Sequence, residues 1–182
     1  MPARTLGQTT SSGAPLPIVS VAQTRLLTVN DNNLPLLKDA LGPGISVKPL
    51  RLDLDGNCWV VLATFAPGIE LPIHYHTGPA EVYTLQGRWL YKEYPNDPQT
   101  SGSYLYEPGG SVHTFYTPES NTQDTVIFVR VQGANVNFNE DGTFHSILDA
   151  VFIQAAATDL AKAQGVAPDY ILGTEHVSAA SE

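Results

Sequence analysis

Residues 68–87 read GIELPIHYHTGPAEVYTLQG and residues 102–113 read GSYLYEPGGSVH. In both stretches short runs of β-branched and aromatic residues are bounded by Gly and Pro, the composition of strands joined by tight turns. His74 and His76 stand two apart, so on an extended segment their side chains point to one face. Alone, such a pair is an ordinary feature of an exposed strand edge. A third histidine, His113, closes the second stretch. A small antiparallel barrel turns alternate side chains inward, so two hairpins can bring all three imidazoles to one metal ion and leave other positions open.

The texture continues outward. Strands are expected at 45–53, 58–65, 81–85, 88–94, 103–107, 112–116 and 125–132, separated by turn clusters such as NDNN at 30–33, GPG at 42–44, DLDG at 53–56 and APG at 66–68. Short strands at this spacing predict an all-β barrel or sandwich. The pattern changes only in DAVFIQAAATDLAKAQG at 149–165, where Val151, Ala155, Leu160 and Ala163 recur at helical spacing between a capping Asp149 and a terminating Gly165. This helix is expected to pack on the barrel. The chain therefore divides into an N-terminal arm at 1–24, a barrel at 25–147, and a helix and tail at 148–182. The arm, rich in Thr, Ser, Gly and Pro, is expected to be disordered or laid over another surface, without chemistry of its own.

Composition narrows the partners. A chain of 182 residues, 42% hydrophobic and 15% charged, fits one domain. Its 18 acidic residues against 9 basic ones give a formal charge of -9, which repels phosphate backbones, so nucleic acid is not an expected partner. No apolar run reaches the roughly 20 residues that span a bilayer, and no signal-like apolar segment follows Arg4; a cytoplasmic location is the expectation. Cys58 has no second cysteine to pair with, and in NCWVVLATF it reads as a small apolar strand residue.

The two opening stretches resemble the paired motifs of the cupin superfamily, Gly, five residues, His-x-His, Glu, Gly, followed by Gly, five residues, Pro-x-Gly, two residues, His. There are two departures: Gly87 lies one residue nearer Glu81 than in the commonest pattern, and Thr117 stands where Asn is expected. Within that superfamily the chain is most similar to the carbon–carbon bond-cleaving dioxygenases for 2,4'-dihydroxyacetophenone and acetylacetone, a likeness that includes GANVNF at 133–138. The resemblance implies a jelly-roll β-barrel that holds Fe(II), or another divalent ion such as Zn, Ni, Mn or Cu, through His74, His76 and His113. It implies a dioxygenase that uses O2 on a small diketone or hydroxyacetophenone-type ketone.

Three carboxylates compete for a role beside the histidines. Glu81 occupies the motif position and is expected as a fourth ligand, a base behind the ligands, or a residue turned away; acetylacetone-type enzymes lack this carboxylate. Glu93 turns inward if Trp89 and Tyr91 do and the strand continues, and is otherwise a solvated strand end beside Lys92. Glu107 matches a carboxylate position that in the acetylacetone-type enzymes stands behind the ligands. His145 and His176 lie outside both motifs and are not expected to bind metal. Tyr83, Trp89, Tyr91, Tyr104, Tyr106 and Phe115 supply aromatic bulk, part of it expected to wall an apolar pocket and the rest to be core or surface-strand residues.

Two other readings stay open. The barrel hosts many functions, so the chain could be a non-catalytic ligand-binding cupin. It could also be a metal-dependent isomerase of anionic sugars, which would want cations lining the barrel; Lys48, Arg51, Arg88, Lys92 and Arg130 are too scattered in sequence to decide. Exposed strand edges are a liability that pairing removes, and a homodimer or homotetramer is expected.

Overall fold

Strands alternate inward and outward along nearly the whole chain, and that alternation builds the architecture. A computed structural model describes residues 4–6, 8–21 and 26–177. Its strands are β1 (Arg4–Leu6), β2 (Val19–Val21), β3 (Ile45–Asp53), β4 (Cys58–Phe65), β5 (His74–His76), β6 (Ala80–Gln86), β7 (Arg88–Tyr91) and β8 (Gln99–Thr100). They continue with β9 (Tyr104–Glu107), β10 (Val112–His113), β11 (Phe115–Tyr116), β12 (Thr125–Gln132), β13 (Asn135–Phe138), β14 (Phe144–Leu148), β15 (Tyr170–Leu172) and β16 (Glu175–Val177). One helix, α1 (Ala150–Gln164), intervenes.

The large sheet runs β16-β15-β3-β4-β12-β6-β9, and facing it are a four-stranded sheet, β10-β5-β13-β14, and a three-stranded one, β11-β7-β8. This is the expected all-β jelly roll with one C-terminal helix. Its core lies between the sheets, where Leu52, Trp59, Phe65, Val82, Trp89, Phe115, Ile127 and Val131 are buried. The buried Trp89 ring still satisfies its N–H, donating to Thr84 Oγ1 at 2.9 Å, as a sequestered polar group must. Pro49 sits in β3 beside the bulge at Leu50, where the register with β4 shifts, a place that tolerates a missing N–H.

Two sequence signals resolve into local devices. Gly87 has φ of 81°, and a Cβ there would lie 2.7 Å from the Thr125 Cα; only glycine turns β6 into β7 at that point. Thr117, in the place expected for Asn, is buried and ties the preceding loop down: its hydroxyl donates to Ala66 O at 2.8 Å and accepts from Ile69 N at 2.9 Å.

Asp149 caps α1, its carboxylate accepting from Phe152 N at 2.8 Å, and Gly165 ends it in the left-handed conformation, φ 64°. Buried Ala157 and Ala161 dock the helix on Leu37. In the N-terminal arm β1 pairs with β2 as a separate ribbon. Residues 1–3, 7 and 22–25 of the expected arm, and 178–182 of the expected tail, lie outside the described residues. No described helix is long and apolar enough to cross a membrane.

Candidate metal centre

β5 lies between β10 and β13, which places His74 opposite His113 and His76 opposite Asn135. Cross-strand partners share a face, so the antiparallel pair β5 and β10, distant in sequence, delivers three imidazoles inward. His74, His76 and His113 are 4%, 3% and 2% exposed, and each offers a ring nitrogen within 4.8 Å of the others. His76 Nε2 and His113 Nε2 are 3.0 Å apart.

The surroundings of His74 and His113 favour the neutral ring. His74 donates from Nδ1 to Pro72 O at 3.0 Å, because a carbonyl can only accept; its Nε2 therefore carries the lone pair. Burial lowers the His74 pKa to about 4, the Pro72 bond working against it and the His113 and His76 rings adding to it. Burial also lowers that of His113, while Glu107 works the other way.

Glu107 joins the cluster from β9. Its Oε2 is 2.9 Å from His76 Nε2 and 3.5 Å from His113 Nε2, and its Oε1 accepts from the Tyr91 hydroxyl. Burial alone would raise the Glu107 pKa; the His76 bond, the His113 and His76 rings and the Tyr91 hydroxyl outweigh it, and the carboxyl lies below its usual value. Tyr91 in turn stacks on the His113 ring, 3.9 Å between centroids, and burial with the adjacent carboxylate keeps its hydroxyl protonated. Tyr91 thus fixes a candidate ligand and a carboxylate together.

The donor set fits a divalent ion. Two donors each about 2.1 Å from one ion, at right angles, are about 3.0 Å apart, which is the separation of the His76 and His113 nitrogens. Imidazoles with one carboxylate suit Fe(II), Mn, Ni, Zn and Cu.

Two expected carboxylates are elsewhere. Glu81 does not join the histidines: along β6 the inward positions are Ala80, Val82 and Thr84, so Glu81 faces outward and pairs with Arg130 at 3.2 Å. The four residues between His76 and Glu81 put it on the wrong phase of the strand, and Glu107, directly opposite Ala80, fills the inward place. Glu93 does not turn inward either. Trp89 and Tyr91 do, but β7 ends at Tyr91, so the alternation stops; the exposed Glu93 carboxylate instead accepts from Thr114 N at 2.9 Å and Thr114 Oγ1 at 3.0 Å.

Of the aromatic residues, Trp89, Tyr91 and Phe115 line a cavity beside the cluster, whereas Tyr83, Tyr104 and Tyr106 are exposed on the outer face. His145 is exposed and bonds Ser146, and the His176 side chain lies outside those described. The cavity has a volume of about 100 Å³ and is lined by His74, His76 and Glu107, by core side chains, and by Ile153, Ala157 and Leu160 of α1. Sequence reasoning treated Tyr91 as bulk only and did not single out Asn135, which also lines the cavity; the signal available was its place on a strand inside GANVNF.

Residues 26–135 match the family model described as a ChrR cupin-like domain. A Ralstonia eutropha protein of unknown function with a cupin-like fold is 41% identical, TM-score 0.79, the match covering 84% of this chain and 95% of that one. A second R. eutropha protein, an RmlC-like cupin, is 26% identical, TM-score 0.75, covering 84% and 96%. The acetylacetone dioxygenase of Acinetobacter johnsonii is 17% identical, TM-score 0.61, covering 75% and 93%, a likeness of fold. No protein of curated function matches the sequence.

Proposed function

The chain belongs to the ChrR cupin-like family, and on that premise we propose that it is a metal-dependent dioxygenase cleaving a carbon–carbon bond of a small uncharged ketone. His74, His76 and His113 hold the ion, with Fe(II) the best match to an open set of neutral imidazoles. The observation that carries the reading is the meeting of three buried imidazoles with an apolar cavity that no described Lys or Arg lines. Four of the five candidate cations are paired outside it, Lys48 with Asp31, Arg51 with Asp53, Lys92 with Glu70 and Arg130 with Glu81, and Arg88 is exposed. That argues against an isomerase of anionic sugars. The substrate class is taken from the acetylacetone dioxygenase that shares this fold.

A divalent ion bound there supplies Lewis acidity toward ketone oxygens and electron transfer to O2. The chain supplies the rest. Glu107 is the one carboxylate among the described residues that line the cavity; its Oε2 takes the proton from the carbon between two carbonyls, and the Tyr91 hydroxyl holds its other oxygen. Apolar walls exclude water from the enolate so formed. One diketone and one O2 then give a carboxylic acid and a dicarbonyl: the bond between the central carbon and one carbonyl breaks, both oxygen atoms enter the products, and no external reductant is consumed.

Anaerobic loading with Fe(II), followed by O2-uptake measurements with small diketones and hydroxyacetophenones, tests the proposal. Uptake requiring both iron and ketone supports it; stoichiometric metal without uptake for any ketone overturns it in favour of a binding role. Self-association is part of the same reading, since edge strand β9 leaves Tyr104 and Tyr106 exposed; a monomer by light scattering at micromolar concentration would refute it.

A further inference from the structure

Opposite edges of the fold meet in the cavity. Glu107 is on β9, the last strand of the large sheet, and His113 and His74 are on β10 and β5, at one edge of the four-stranded sheet. The helix α1 packs on β3 and β14, which lie four strands from β9 and two from β5 in those same sheets. Neighbouring strands are about 4.8 Å apart, so the α1 side is roughly 10 to 20 Å from the metal centre along the sheets. One cavity joins them: His74, His76 and Glu107 line it together with Leu41, Val47, Leu148, Phe152, Ala156 and Leu160.

Those last six side chains are all apolar. Among the described residues that line the cavity, only Leu41 and Phe152 are exposed, 38% and 46%, which places its mouth beside α1. Such a space discriminates by polarity. A carboxylate carried into it gives up its hydration and meets no polar side chain among those six, whereas each methylene moved there from water tightens binding about fourfold.

We propose that the α1 side of the cavity is a subsite for an apolar arm of the substrate, and that Ala156 is the specificity-determining residue that sets the length of the arm. The inference rests on the proposed function, which puts the ketone oxygens at the metal centre and so directs the rest of the molecule along the cavity. The substrate class narrows from any small ketone to one carrying an apolar substituent beyond its chelating oxygens. A volume of about 100 Å³ limits that substituent to a few carbon atoms. Ala156 is where α1 leaves the room. Of the other helix residues that line the cavity, Phe152, Ile153 and Leu160 are large, and buried Ala157 packs with Leu37 in the contact that docks the helix. Ala156 is half-buried and outside that contact, so a larger side chain there takes space from the cavity and leaves the docking intact. Its neighbour Ala155 is exposed and does not line the cavity.

The test is calorimetric binding to anaerobic, Fe(II)-loaded protein of acetylacetone and of homologues in which one methyl group is lengthened to ethyl or propyl. In wild type each added methylene is expected to tighten binding about fourfold, about 15-fold in all for the propyl homologue, while a homologue of the same length ending in a carboxylate is expected to bind more weakly than acetylacetone. Ala156→Leu, which costs the helix little propensity, is expected to abolish the gain from the propyl group with metal content and acetylacetone affinity unchanged. Ala155→Leu, the same change on the outer face, is expected to keep the gain. Should Ala156→Leu fail to fold, Leu160→Phe is read in the same way. A gain that survives Ala156→Leu, is lost equally in Ala155→Leu, or is absent from wild type while acetylacetone binds overturns the subsite alone. Loaded protein that binds none of these ketones overturns the proposed function and this inference with it.

Discussion

Replacing Glu107 by Gln keeps the size of the side chain and removes its charge from the middle of the histidine cluster. In the structure that charge lies 2.9 Å from His76 Nε2 and 3.5 Å from His113 Nε2, and the side chain is 4% exposed. Water therefore screens it little, and no second carboxylate among the described residues lines the cavity. Three imidazoles remain to hold a metal, so binding is weakened and not lost. Partners that stand behind or beside metal ligands typically contribute 10–100-fold in affinity, about 1.4–2.7 kcal/mol, and that is the expected loss for Glu107→Gln. Glu81→Gln is the internal control: its ion pair with Arg130 is outward and partly exposed, a pair of the kind worth about 0–1 kcal/mol to stability and nothing to the metal. The assay is anaerobic competition for Fe(II), repeated with Zn(II), against a chromophoric chelator. Affinity of Glu107→Gln within about twofold of wild type, or an equal loss in Glu81→Gln, would refute the assignment.

His113→Ala should abolish metal binding and O2 uptake together; full activity in that variant would sink the metal assignment. In the metal-free protein His74 binds its proton with a pKa of about 4 against 6.5 when unfolded. The unfolded chain thus takes up more protons between those values, so stability is full above pH 6.5 and falls as pH drops toward 4, by on the order of 3 kcal/mol; urea midpoints that do not change between these limits would contradict the buried neutral ring. Asp149→Ala removes the α1 cap at the Phe152 N–H and should cost about 1 kcal/mol, read as a lower melting temperature; an unaltered one would show that the helix is held by its docked face alone.

The long central strands were legible in the sequence because their ends are marked chemically: 45–53, 58–65 and 125–132 coincide with β3, β4 and β12, each bounded by Gly, Asn, Asp or a turn. The expected strand at 112–116 divides at Thr114, since β10 pairs with β5 and β11 with β7; a strand that changes sheets must bend, and nothing in its own composition reports which neighbours it will find. β13 is half-buried along its whole length and alternates Asn with Val and Phe. Its partners are 59 residues away at His76, from position 135, and 13 away at Leu148, so neither its existence nor the exposure of Asn135 to the cavity follows from local pattern. The histidines were legible because chemistry and spacing coincide in them. The apolar space beside them is a property of packing alone.

The sequence leaves the carboxylate open among Glu81, Glu93 and Glu107, because its position is decided by parity. His74 and His76 face inward on β5, and five positions after His76 Glu81 stands one step past Ala80, which is fully buried. No bulge interrupts the pairing of Ala80 through Tyr83 with Glu107 through Tyr104, so nothing restores the phase, and a side chain one step off an inward position must point out. An inward carboxylate in place of Ala80 would meet the cluster from β6; here Glu107 meets it from the strand next door, at the same level. The two arrangements present similar chemistry to a metal while differing in every local sequence feature. What distinguishes them is the Tyr91 hydroxyl, which reaches Glu107 from β7. Tyr91→Phe should therefore weaken metal binding in wild type and leave it unchanged in Glu107→Gln if Tyr91 acts through that carboxylate. Because Phe keeps the ring that stacks on His113, equal losses in both backgrounds would mean that the hydroxyl acts other than through Glu107.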